Sequence, residues 1–122
     1  MKLLALRSAA LLLGALAACA RPAAVPAPTG EPYLTGRVES FSHHATASRL
    51  LVQPLNEGAC GIAATVDART RHLHRAPSGE LRAGSRAEVR EGDTIAVFVD
   101  GPVMRSCPAQ GYASAVILDA RP

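Results

Sequence analysis

Three cysteines and four histidines are the side chains with the most chemistry to offer in this 122-residue chain. Cys60 and Cys107 stand far apart, with no C-x-x-C spacing, and neither opens a recognisable helix that would lower its thiol pKa. Joined, they would close a loop of nearly fifty residues, worth roughly 4 kcal/mol on the chain-entropy model. A structural disulfide, two free thiols and a redox-active pair are the three readings open to them. His72 and His74 flank Leu73; on a strand, positions two apart share a face, so the two imidazoles can chelate a borderline metal such as copper or zinc. Two ligands do not make a site. The others would have to come from a distance, with His43 and His44, in a polar loop, as the candidates. The plainer reading makes the two histidines a polar outer face with Leu73 packed inward.

Cysteine chemistry depends on compartment, and the N-terminus addresses that. In "MKLLALRSAALLLGALAAC", Lys2 and Arg7 form a positive start, Ala9 to Ala18 a short apolar run, and small residues lead to Cys19. The run is shorter than the roughly 20 residues that span a bilayer. "LAAC", Leu16 to Cys19, resembles the lipobox of bacterial lipoproteins. That resemblance implies cleavage after residue 18, a diacylglycerol thioether on Cys19 and an acylated new N-terminus, since stable anchoring takes more than one acyl chain. The expected location is the bacterial cell envelope, lipid-anchored. Ala20 lacks the aspartate associated with inner-membrane retention, which in a diderm favours the outer membrane, facing the periplasm. In an oxidising compartment an even pair of cysteines reads first as a disulfide.

Loss of residues 1–18 removes Lys2 and Arg7, which reduces thirteen basic residues to eleven against ten acidic ones. The remaining cations are arginines interspersed with Asp and Glu, a mixed solvated surface and not a track for phosphates. Charge and compartment both argue against nucleic acid as a partner. No G-x-S-x-G elbow, paired carboxylates or phosphate-binding glycine loop is present, and no cofactor motif is found. Asp67 reads as a turn residue and Asp93 as the start of a strand after Gly92.

The elements that must position these groups are short and β-like. Residues 19–32 hold the lipidated cysteine and a Pro/Ala-rich linker, with prolines at 22, 26, 28 and 32, read as an extended spacer. Residues 33–120 read as one domain. "YLTGRVESF" alternates with Leu34, Gly36 and Val38 on one face, and "SRLLVQP" follows a polar turn. "CGIAATVDA" places Ile62, Ala64 and Val66 together; "RTRHLHR" is a polar-rich strand; "AGSRAEVREGD" reads as one helical turn closed by Gly92. "DTIAVFVDG" is apolar enough to be buried on both faces, and "GYASAVILD" ends the domain. The expected fold is mainly β, a small barrel of about five to six strands with one short helical turn. With no Trp, two Tyr and two Phe, its core is thin, and a covalent staple would matter.

Several of these segments resemble the YobA-like family of small exported bacterial domains of unknown function. They are "GRVES", "RLLV", "VDARTRHLHR", "EVREGD" and, most specifically, "VFVDGPVMRSCPAQGYASAVIL" with its Gly101-Pro102-Val103, Ser106 and Pro108-Ala109-Gln110. The resemblance spans residues 33–119 and implies an OB-like β-barrel without an agreed activity. Position 107 departs from the family's commoner tyrosine, and a bridge to Cys60 would compensate for the lost aromatic. The functional expectation is a membrane-tethered, non-enzymatic module that binds an envelope protein, peptide or glycan. The alternatives are a periplasmic metal-binding protein using His72 and His74, and a thiol-redox or hydrolytic envelope enzyme.

Overall fold

The computed structural model describes residues 23–120, so the segment read as a signal peptide and Cys19, the expected lipid site, lie outside the described residues. Among the described residues seven strands form: β1 (Leu34–His43), β2 (Ser48–Pro54), β3 (Ile62–Val66), β4 (Arg71–Arg75), β5 (Leu81–Ala83), β6 (Thr94–Val99) and β7 (Ala109–Leu118). A 3-10 turn at Arg86–Glu88 precedes β6.

Five of the strands close on themselves. β1, β2 and β3 form an antiparallel meander, β3 runs parallel to the first half of β7, β7 pairs with β6, and β6 returns to β1. This is a closed five-stranded barrel of the expected OB-like kind. The remaining hairpin, β4–β5, extends the sheet beyond the barrel by pairing β4 parallel to the second half of β7. Closure needs sharply coiled strands, and two register shifts supply it, one in β1 between Val38 and Ser40 and one where Phe98 and Val99 meet β7. Gly36 and Gly61 permit the tightest approaches: a Cβ on either would collide with a β2 carbonyl oxygen, that of Gln53 or Val52 respectively.

Alternation along the strands makes two apolar clusters. Val38, Leu50, Val52, Ile62, Ala64, Val66, Ile95, Val97, Ala113 and Val116 fill the barrel. On the opposite face of β6 and β7, Phe98, Ala115 and Ile117 meet Leu73 and Leu81 of the extra hairpin. β6 is therefore buried on both faces, as its apolar run predicts. β5 is an addition to the expected strands, since three residues are too few to carry a readable period.

Residues of the proline-rich stretch also belong to the fold. Ala24 bridges Arg82 on β5, the Val25 amide donates to the Leu81 carbonyl at 3.0 Å, and Val25 packs on the outer cluster.

Candidate functional site

The disulfide is formed: Cys60 and Cys107 are bonded, with Cα atoms 5.3 Å apart. It ties the β2–β3 loop to the loop between β6 and β7. That second loop is held further by reciprocal backbone bonds between Met104 and Gln110, at 2.7 and 3.1 Å, and by Ser106 Oγ donating to the Pro108 carbonyl. The Cys107–Pro108 peptide is cis. Both cysteines are exposed, at the rim of the barrel and away from its core.

The loop so fixed forms one wall of an open groove along the outer face of β7. At one end Thr65, Gln110 and Gly111 form its floor, with Pro102, Val103 and Met104 as an apolar wall, around a space of about 510 Å³. Met104 is 62% exposed. With Pro102 and Val103 beside it, Met104 forms an apolar patch at the cavity's edge. Further along β7, Tyr112 and Ser114 line a second open cavity with Arg69 and Asp100, of about 380 Å³.

The side chains at this end are fixed in place. Tyr112 donates its phenol to Asp67 Oδ1 at 2.8 Å. The Arg69 guanidinium stands 5.7 Å from the Tyr112 ring centroid, within cation–π reach. Asp67 sits in the turn expected of it: its Oδ1 also accepts the Arg69 amide at 2.9 Å, and its carbonyl accepts the Thr70 amide at 3.1 Å. Thr70 is buried and closes the turn onto β7 by donating its hydroxyl to the Ala113 carbonyl at 2.8 Å. The Tyr112 hydrogen bond, then the Arg69 amide, hold the Asp67 carboxyl below the usual carboxylate range, so it stays ionised and keeps the phenol oriented. The sequence does not mark these groups as a site, because Asp67 and Tyr112 are 45 positions apart and meet only when β3 and β7 pair.

The histidines occupy a different end, and their orientation corrects the plainer sequence reading. His72 is opposite Val116, Leu73 opposite Ile117 and His74 opposite Leu118. Leu73 is buried, but in the outer cluster, whereas His72 and His74 stand with Val116 and Leu118 beneath the 85–89 turn. His74 Nδ1 lies 3.5 Å from Glu88 Oε2, an ion-pair distance without hydrogen-bond alignment. His72 Nδ1 is enclosed with no hydrogen-bond partner. Burial, and secondarily the nearby Arg86 charge, push the His72 pKa down. The space under the turn does not admit a water-sized sphere. The His43 ring packs on Phe41 at 4.6 Å, and its Nδ1 is 3.5 Å from Ser48 Oγ, which accepts a 2.6 Å bond from Arg86. His44 is exposed and donates its backbone amide to the Ala47 carbonyl. Among the described residues no three His, Cys, Asp or Glu side chains converge as a metal site.

No protein-family profile, curated protein or solved structure matches the chain significantly, so the resemblance to the YobA-like domains stands on the quoted motifs alone.

Proposed function

We propose that this protein is a lipid-anchored, non-enzymatic binding module of the bacterial envelope, and that its barrel holds a glycan across the β7 groove. One observation carries the reading: two open cavities along one strand, one lined by Asp100, Arg69 and a Tyr112 locked by its bond to Asp67, the other with an apolar lip at Pro102, Val103 and Met104. Barrels of OB type bind oligonucleotides and oligosaccharides on the sheet face between their loops. The groove favours the second. The charged side chains that line it, Arg69 and Asp100, balance, which leaves no cationic track for a polyanion. Carboxylates, an amide and hydroxyls there can accept from and donate to sugar hydroxyls. Tyr112 and Met104 offer the apolar surface that a sugar ring's C–H face covers.

The lipobox-like "LAAC" and the exported-family resemblance support the envelope setting. Fold analogy enters only as far as the shape of the groove, and ligand class rests on the side chains in it. Chromatography on a panel of immobilised neutral oligosaccharides tests the reading. Retention of the folded domain, abolished by Tyr112→Ala and by Asp100→Ala, is the expected result; a wild-type protein that passes through every column overturns it. For the anchor, palmitate labelling in bacterial cells is expected in the wild type and lost in Cys19→Ser.

A further inference from the structure

We infer that the proline-rich segment after Cys19 is a strap that clamps the barrel against the membrane, with the β4–β5 hairpin turned toward the lipid surface. The inference rests on the lipid-anchor reading for its partner, and on described residues for its geometry.

Three contacts fix the strap. Ala24 pairs antiparallel with Arg82, so the chain lies on the otherwise unpaired edge of β5, and the Val25 amide bonds the Leu81 carbonyl at 3.0 Å. Val25 is half-buried on the outer cluster of Leu73, Leu81, Phe98, Ala115 and Ile117. Arg71, on the same outer face of β4 as Leu73, donates Nη2 to the Pro26 carbonyl at 3.0 Å. The strap joins the barrel where the Tyr33 amide bonds the Val97 carbonyl at 2.8 Å, and to reach β6 from β5 it must cross β4 and β7. It covers an edge and an apolar face together, which are the two features an exposed sheet must protect. Proline suits this path, since the segment offers few backbone donors that need partners and is already extended.

The consequence is a short leash. A free spacer would run from Ala20 to Pro32. In polyproline form that length of chain reaches about 40 Å. With the chain pinned at Ala24, only Ala20 to Ala23 separate the acylated cysteine from the barrel. At full extension such a leash spans about 14 Å. Because Ala24 lies beside β5, it draws the β4–β5 side of the molecule to the bilayer.

Neutron reflectometry of the lipidated protein on a phosphatidylethanolamine–phosphatidylglycerol bilayer reads the gap directly. Barrel density is expected to begin within about 15 Å of the headgroups in the wild type, and to retreat toward about 40 Å in Val25→Asp. Arg71→Ala, which removes one bond and no apolar contact, should shift it in the same direction by less. Hydrogen exchange on soluble Cys19→Ser protein keeps the strap test separate from the anchor test. A protected Val25 amide is expected, exchanging at least about tenfold faster with Val25→Asp added while the β6 amides stay protected. A wide gap in the wild type, or an unprotected Val25 amide, overturns the strap. Failure of the wild type to bind the bilayer overturns the anchor, and with it the membrane geometry, whatever the exchange shows.

Discussion

The two halves of β7 have opposite fates. From Ala109 to Tyr112 the strand pairs with β3, and as far as Ser114 it borders open cavities. From Ala115 to Leu118 it pairs with β4, and both faces are covered, by Val25 and the hairpin leucines outside and by the histidine pair and its turn at the barrel end. The residues follow the difference. The open half carries Gln110, Tyr112 and Ser114, whereas the closed half is Ala-Val-Ile-Leu. One strand thus serves as groove floor and as core, and the register shift between Ala113 and Ala115 lies where one role gives way to the other. The covered half, anchored on two faces, holds the open half in place.

Breaking the staple should disturb this arrangement most. Cys60→Ser with Cys107→Ser frees the groove's apolar wall and opens a loop with a sequence separation of 47. The expected loss is about 4 kcal/mol. Urea unfolding would show it, and any oligosaccharide retention should fall with it, because Pro102, Val103 and Met104 are no longer held over Gly111. Next comes Gly36→Ala, where the added methyl meets the Gln53 carbonyl, a backbone group that cannot swing aside. Overpacking of this kind costs about 2–3 kcal/mol. That change acts on barrel closure alone. The same measurement on both variants, scaled for stability, separates a groove that needs its wall from one that only needs a barrel.

Much of the barrel is legible because alternation is a local signal. Ile62, Ala64 and Val66, or Ile95 and Val97, announce an inner face within a few residues, and the even pair Cys60 and Cys107 reads first as the disulfide that the structure contains. Alternation tells which residues share a face, however, and not what covers it. Leu73 and its histidine neighbours do point to opposite sides, but the hairpin lies beyond the barrel, so Leu73's cover is Val25 and the histidines' cover is the turn at Glu88. Val25 itself sits in "AAVPAP", where nothing periodic marks it, and it docks through one backbone bond and one side chain. The groove is illegible for a related reason: its residues come from separate segments, and only the parallel β3–β7 pairing makes Thr65 a neighbour of Tyr112.

A smaller change sharpens the contrast inside the open half. Tyr112→Phe keeps the ring and removes the phenol's bond to Asp67, so only a slight drop in the urea midpoint is expected. Because Asp67 keeps its Arg69 amide partner, the turn should survive, and nuclear magnetic resonance should report the Asp67 carboxyl pKa rising toward its ordinary value. A large drop in stability, or an unmoved Asp67, would mean that the turn and not the ring organises this end of the groove.

The closed half makes the subtlest prediction, a pH dependence with a definite sign. His72 is half-buried with an enclosed, unpartnered Nδ1. Burial is the main force lowering its pKa from 6.5, helped by Arg86 and opposed by Glu88, while His74 stands beside it on the same strand face. An imidazole that resists protonation when folded binds fewer protons than in the unfolded chain, so stability rises with pH across the interval between the two pKa values. Its contribution is complete above 6.5 and is lost as pH falls through the folded value, a window well above the one below 3.8 where Asp67 acts. Urea midpoints should therefore drop between about pH 8 and about pH 5.5, and His72→Gln, neutral throughout, should flatten the slope. Tyr112→Phe should leave that slope untouched, because the groove and the histidine turn share a strand but no titrating contact. An undiminished slope in His72→Gln would remove His72 as its source.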